Sequence, residues 1–395
     1  MPHHHRSVMT SPLRLFLLAC ISSLLTACSG DSSTAATAAV DAPDALGPRA
    51  VGYSSFTAVD AAREDRSLLV DVWYPVDDED TDGAPPAEYL LLDPFGLPSA
   101  VALEGPPVST RPAQPLLVFS HGYGGISIQS FGLMEALASH GFIVVSPEHT
   151  GNAQSSPTDS FDEAAANRVP DVSFLIDTMF SRNRDPQDEF HQRIDESAVG
   201  VVGHSFGGMT AVGMAAGWAG APPDPRVTAI APISAVIDGA LQSDDRPSPN
   251  AGFTEEQLES ITAAVMLMGG TEDTNVPIGN NAIAFEQMVN ASPLYKVDII
   301  GANHNHFAAI CAIAGWLLDR GWGPDIWPAL GAEALIEPYE TTCGPDVLAI
   351  EEANRLQNLY VVSFFKSQLR EERGYDPFLS PELAETEPGV AFAAK

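Results

Sequence analysis

The stretch Gly203-His204-Ser205-Phe206-Gly207-Gly208 constrains this chain more than any other. The run Ala198-Val199-Gly200-Val201-Val202 leads into it with strand character, and a helix-compatible run from Met209 to Ala216 leaves it. A strand, a glycine-flanked serine and a helix together form the G-x-S-x-G nucleophile elbow in the context it requires. Such a turn is strained and its backbone packs closely, so glycine is needed on both sides. It lifts one hydroxyl into the open, where a base can reach it. The plainer reading is a Gly/Ser turn at a strand end, and the flanking strand and helix weigh against it. Ser205 is the candidate nucleophile.

Strand-forming runs at 68–74, 115–119, 142–146, 198–202, 227–232, 264–268 and 295–300 alternate with helix-compatible segments at 130–140, 168–181, 205–217, 281–290 and 347–369. Fully apolar strands such as Phe142-Ile143-Val144-Val145 suit a mostly parallel sheet covered on both faces. The alternation predicts an α/β layer fold with helices on both faces, and a chain of 395 residues that is 45% hydrophobic can bury one large core. In such folds the active site lies beyond the carboxyl ends of the strands. Residues 76–86 are acidic with Gly and Pro and read as a solvated loop. Residues 311–344 follow the last expected strand, carry Trp316, Trp322 and Trp327, and read as a helical insertion. The insertion either roofs the site and binds an apolar substrate or packs on the outside.

The formal net charge is −33, with 52 acidic residues against 19 Lys and Arg. That surface repels nucleic acid and anionic lipid headgroups, so DNA or RNA is not an expected partner. Solubility is the plainest reason for the acidity, and a high-salt habitat would also fit.

Arg14 precedes an apolar run from Leu15 to Ala27, the length of a signal h-region and too short to span a bilayer. The run ends Leu25-Thr26-Ala27-Cys28, which resembles a bacterial lipobox. The resemblance implies a signal peptide over 1–27, lipidation of Cys28, and an exported protein held at the cell envelope by its lipid. Ser29 after the cysteine implies outer-membrane sorting in a Gram-negative host. The alternative is an ordinary secretory signal with a chance cysteine. His3 to His5 lie upstream of the signal, either as a metal tract or ahead of a true start at Met9. Residues 28–47 are rich in Ser, Ala, Asp and Thr and read as a flexible tether. The folded domain is expected over 48–372, with 373–395 as a C-terminal tail. Cys20 leaves with the signal, so Cys311 and Cys343 remain in an exported chain and favour a disulfide over two free thiols. A bridge closing a loop of roughly 30 residues is worth about 3–4 kcal/mol in the chain-entropy model.

A serine needs a base within hydrogen-bond reach, and the base needs an acid to hold its tautomer. Downstream, the apolar run Val265-Met266-Leu267-Met268 empties into Gly269-Gly270-Thr271-Glu272-Asp273-Thr274-Asn275-Val276-Pro277. Asp273 is the candidate acid, because a short side chain suits a loop pinned by Gly270 and Pro277. Glu272 is the alternative. The run Tyr295 to Ile300 then leads into Gly301-Ala302-Asn303-His304-Asn305-His306-Phe307. His304 is the candidate base and His306 the alternative. A metal held by both histidines would lack a third ligand cluster. An oxyanion hole needs two backbone donors. The amide of Phe206, directly after the nucleophile, is one candidate. The loop Ser120-His121-Gly122-Tyr123-Gly124-Gly125 follows an early strand and offers the amide of Tyr123 as the other. His149 also follows a strand end, as a pocket residue or as a structural loop histidine.

Together these residues resemble the α/β-hydrolase superfamily, in which the chain order is Ser, acid, His. More narrowly they are similar to the dienelactone-hydrolase-like and secreted platelet-activating-factor acetylhydrolase group, from about Gly47 to Leu369. The likeness rests on Val72-Trp73-Tyr74-Pro75, Phe119-Ser120-His121-Gly122 and the elbow hexapeptide. It implies Gly-x-x-Asp and Gly-x-x-His positions at Asp273 and His304, and an oxyanion role for the His-Gly loop. Cutinase-like polyester hydrolases share the layout, including an Asp-Thr-x-x-Pro loop like Asp273 to Pro277. The chain departs from the acetylhydrolases in its acid. They carry it after the strand that follows the elbow helix, where this chain has Ala231-Pro232-Ile233-Ser234 and no carboxylate before Asp238. Dienelactone hydrolases proper use a cysteine where this chain has Ser205. Both departures favour an ordinary ester.

The expected activity is serine-dependent hydrolysis of a small-molecule or lipid ester through an acyl-enzyme, with no cofactor and no metal. The alternatives are an acetylhydrolase-type phospholipase, a polyester hydrolase and, in another class, a non-catalytic surface binding lipoprotein on a hydrolase scaffold.

Overall fold

The computed structural model describes residues 40–92, 95–156, 159–241 and 248–395. The expected signal segment, Cys28 and the expected tether up to residue 39 lie outside the described residues. One sheet is built from β1 (Ala50–Asp60), β2 (Arg66–Val76), β3 (Pro86–Leu92), β4 (Phe95–Glu104), β5 (Gln114–Ser120), β6 (Ile143–Pro147), β7 (Ile194–His204), β8 (Val227–Ile233), β9 (Ala264–Gly270), β10 (Leu294–Ile299) and β11 (Val390–Ala394). Its order is β11-β10-β9-β8-β7-β5-β6-β2-β1-β4-β3. The six strands β5 to β10 run parallel, while β2 and β11 pair antiparallel at their two flanks.

The helices are α1 (Phe131–Ser139), α2 (Phe161–Arg184), α3 (Phe206–Ala216), α4 (Glu255–Glu259), α5 (Gly279–Gln287), α6 (Ile310–Asp319), α7 (Ile336–Thr342), α8 (Ile350–Leu369) and α9 (Pro381–Ala384). Successive strand residues point to opposite faces, so each central strand feeds two cores. Leu117 and Phe119 of β5 pack with Leu137 of α1 and Phe364 of α8. Leu116 and Val118 pack on the other face with Val172 of α2 and Val212 of α3. The result is a mostly parallel mixed sheet with helices on both faces, the α/β-hydrolase fold.

Three expected boundaries move. Residues 373–395 are not a tail: they form α9 and the edge strand β11, which pairs with β10 from Tyr295↔Ala394 to Ile299↔Val390. The insertion therefore lies between β10 and α8 rather than after the last strand. Residues 40–47, expected as tether, are partly pinned to the domain, since Gly47 N–H donates to Ser139 Oγ at 2.7 Å and His140 Nε2 bonds Ala45 O at 3.0 Å. Helix α2 starts at Phe161, seven residues before the expected start at Arg168. Ser160 and Glu163 form a capping box there, and the helix continues through Pro170.

Candidate active site

Ser205 sits between β7 and α3 with φ 59° and ψ −120°, the strained left-handed turn of an elbow. The two flanking glycines are forced by contact: a Cβ on Gly207 would stand 1.7 Å from Ser120 O, and one on Gly203 would stand 2.2 Å from Gly207 O. The candidate oxyanion loop thus rests directly on the elbow. Phe206 opens α3, so its N–H belongs to the first turn, where the helix itself supplies no acceptor.

The carboxyl ends of β9 and β10 bring the other candidates together. Asp273 is buried and Glu272 is exposed. Asp273 Oδ1 accepts the N–H groups of Asn275 (2.9 Å) and Val276 (2.7 Å), while Oδ2 lies 2.8 Å from His304 Nδ1. Burial alone would raise the Asp273 carboxyl; the bond and charge of His304 and the Val276 amide outweigh it and hold the carboxyl below its ordinary value. The expected alternative His306 is fully buried on other duty: its Nε2 bonds Leu348 O (3.0 Å) and its Nδ1 accepts Asn303 N–H (2.9 Å). Asp238, at the end of the strand after the elbow helix, is exposed.

Ser205, His304, Tyr123 and Phe206 line one cavity of about 600 Å³. Its apolar wall includes Ile310, Ile313 and Leu317 of α6, and Ala332 and Leu335 before α7. The insertion therefore roofs the site. Its tryptophans do something else: Trp327 is buried and donates to Trp322 O at 2.7 Å, and Trp322 packs edge-on against Trp316. They form the core of the roof. The Cys311–Cys343 disulfide ties the first turn of α6 to the end of α7. No Asp, Glu, Lys or Arg lies in the cavity wall among the described residues.

Sequence reasoning missed two groups. Gln129 links the oxyanion loop to the elbow: its Oε1 accepts Gly122 N–H (2.9 Å) and its Nε2 bonds His204 Nδ1 (2.8 Å). The His204 ring lies 4.5 Å from that of His304, tilted by 46°. Burial, then the charge of His304, pushes the His204 imidazole down to about 3, so it stays neutral beside the candidate base. The second group is Arg168 beneath the oxyanion loop. His149 belongs with it: the ring is buried between Ser120 Oγ (3.0 Å) and Asp171 (3.0 Å) and is outside the described cavity wall. Neither Gln129 nor Arg168 stands in a motif, and only their long-range contacts reveal them.

Residues 96–278 match the family described as Chlorophyllase. A platelet-activating factor acetylhydrolase of Cavia porcellus is 25% identical over an alignment of 227 positions that covers 43% of this chain and 51% of that protein. The chain thus spans about half the length of that curated relative. The structure of a ferulic acid esterase from Streptomyces cinnamoneus matches with a TM-score of 0.62 and 24% identity over 87% of this chain and 96% of that one. At that identity the structural likeness carries the fold. The chain is similar to esterase-type hydrolases in sequence, and it shares its fold with the ferulic acid esterase structure.

Proposed function

We propose that this protein is a serine-dependent carboxylic ester hydrolase working through an acyl-enzyme. The observation that carries the reading is the bond from His304 Nδ1 to buried Asp273, beside a strained Ser205 on the same cavity. A carboxylate on Nδ1 keeps the proton there and leaves Nε2 free to act as the base. In this reading Ser205 Oγ attacks the ester carbonyl as His304 Nε2 takes its proton. The amides of Tyr123 and Phe206 hold the developing oxyanion. His304 then protonates the leaving alcohol, and a water that it deprotonates releases the acid.

The cavity wall favours a neutral, apolar ester, since a phosphocholine headgroup would meet no charged side chain among its described residues. The likeness to an acetylhydrolase keeps a short-acyl phospholipid as the second reading. We further propose that the chain is exported and lipid-anchored through Cys28.

Turnover of p-nitrophenyl esters and labelling by a fluorophosphonate probe test the chemistry. Ser205→Ala should lower turnover by at least about 10³-fold and abolish labelling while leaving the fold intact. Unchanged turnover in that variant would sink the reading. A wild-type protein that neither turns over esters nor takes the label would support a non-catalytic binding protein. A panel of simple esters beside a short-acyl phosphatidylcholine separates the two substrate readings.

A further inference from the structure

We propose that Arg168 is a positioning residue for the oxyanion hole: its buried guanidinium holds the carbonyl of Gly122 and so aims the N–H of the same peptide unit, that of Tyr123, into the site. The inference rests on the ester-hydrolase reading above.

Arg168 is 0% exposed and lies outside the cavity wall, so it does not touch a substrate. Its Nη1 donates to Ser120 Oγ (3.1 Å) and His121 O (2.5 Å), and its Nη2 donates to Gly122 O (3.0 Å) and Asn152 Oδ1 (2.5 Å). None of these acceptors is a carboxylate. The nearby Asp171 is engaged by Arg63, Arg66 and His149 instead. A buried cation is costly unless its donors are satisfied; here both Nη groups are bonded while Nε has no partner among the described residues, and two of the four acceptors are carbonyls of a single loop.

The peptide bond is planar and trans, so its C=O and N–H point in opposite directions. Holding Gly122 O on Arg168 therefore turns Tyr123 N–H away from Arg168. The same carbonyl also accepts from His121 Nδ1 (2.7 Å) and Gly125 N–H (3.2 Å). Three donors meet on one oxygen, and turning the peptide over would break all three. The guanidinium also lies 4.8 Å over the ring of Phe206, the other candidate donor residue. One side chain thus braces both halves of the hole. Behind it, Ser120 Oγ bonds His149 Nε2, His149 Nδ1 bonds Asp171, and Asp171 bonds Arg66. That chain holds the Ser120 hydroxyl on which Arg168 Nη1 rests.

The test compares Arg168→Met, Arg168→Lys and Ser120→Ala with wild type, with circular dichroism as the folding control. Each is measured for kcat and KM on p-nitrophenyl butyrate. Each is also measured for binding of a boronic acid, whose serine adduct places a charged oxygen in the hole, and of an uncleavable ether analogue of the substrate. Arg168→Met should lower kcat about 10²-fold and weaken boronate binding by a similar factor, with KM and ether binding moving less than about threefold. Lysine is a point donor that cannot bridge both carbonyls and should restore only part of kcat. If Arg168→Met does not fold, Arg168→Lys and Ser120→Ala carry the test, each with kcat reduced about fivefold or more at near-constant KM. The proposal is overturned if folded variants keep kcat within about twofold, or if ether binding and KM deteriorate in step with kcat. Full turnover in Ser205→Ala would overturn the hydrolase reading instead, whereas an inactive Ser205→Ala beside fully active Arg168 variants overturns this proposal alone.

Discussion

His304 Nδ1 lies 2.8 Å from Asp273 Oδ2, joining a fully buried carboxylate to a ring that reaches the cavity. Replacing Asp273 by Asn leaves the shape but lets the amide donate to Nδ1, which moves the imidazole proton to the wrong nitrogen. Asp273→Asn should lower kcat about 10³–10⁴-fold with little change in KM. Glu272→Gln, altering an exposed neighbour, should stay within about twofold. Steady-state turnover of a simple ester decides, and equal losses in the two variants would remove the special status of Asp273.

His306 supports the turn that carries His304, through Asn303 and Leu348. Its burial pushes the imidazole below its ordinary value, so it is a neutral structural group. His306→Ala should cost about 1–3 kcal/mol of stability by leaving buried partners unpaired. Its kcat, measured where the variant is still folded, should fall less than about tenfold, against about 10³-fold or more for His304→Ala. Urea midpoints and turnover on the same preparations separate the two roles.

His149 carries a pH signature. Burial, then the charge of Arg168, pushes its imidazole down to about 4. An unfolded histidine titrates near 6.5. Above pH ~6.5 neither state binds the proton and there is no effect. As pH falls from there toward about 4, the unfolded chain gains a proton that the native state refuses, so this group lowers stability, by at most roughly 3 kcal/mol. The net charge of −33 opposes this, because acid relieves self-repulsion. The comparison that cancels it is wild type against His149→Gln. Over this window the variant should lose less stability, or gain more, than wild type. Parallel urea midpoints from pH 7 to 4 would contradict the assignment.

The roof makes a prediction about substrate size. Ile313 and Leu317 face the cavity, and the Cys311–Cys343 bridge, 32 residues apart, closes the segment that carries them. In the chain-entropy model a loop of this length is worth about 3–4 kcal/mol. Cys343→Ser, or reduction, should leave turnover of an acetyl ester within about threefold while raising KM for longer acyl chains about tenfold, because only the latter reach the apolar wall. An acyl-length series with and without reductant is the measurement. A uniform loss across the series would mean that the bridge supports the fold rather than the cavity.

The parallel strands β5 to β9 were legible because each contains a continuous apolar run buried on both faces, and β10, which mixes Lys296 and Asp298 with apolar residues, because it leads into a small-residue turn. Of the flanking strands β2 was legible, over 68–74, while β1, β3, β4 and β11 were not. β1 carries Ser54, Ser55 and Thr57, and β4 carries Gly96 and Pro98, so neither pattern is strongly strand-like. Their pairing comes from neighbours far along the chain, such as Tyr53↔Trp73 and Gly52↔Leu103. β11 is five residues long and owes its place to β10, nearly a hundred residues earlier. Arg168 reads in sequence as the first residue of a helix over 168–181, yet the helix begins at Phe161 and carries Arg168, fully buried, on its inner face.

By itself the sequence determined the strand–turn–helix setting of Ser205, the order of serine, carboxylate and histidine loops, and the placement of each loop after an apolar strand. Those follow from local periodicity and from glycines that the turns demand. The tertiary structure decided which member of each pair faces the site. Asp273 is buried against His304 while Glu272 meets solvent, and His304 reaches the cavity while His306 turns into the core. It also decided what stands behind the loop of Gly122 and Tyr123. The reason is the same in each case: neighbouring residues of like chemistry have equal local claims, and burial and long-range hydrogen bonds, set by packing across the sheet, distinguish them.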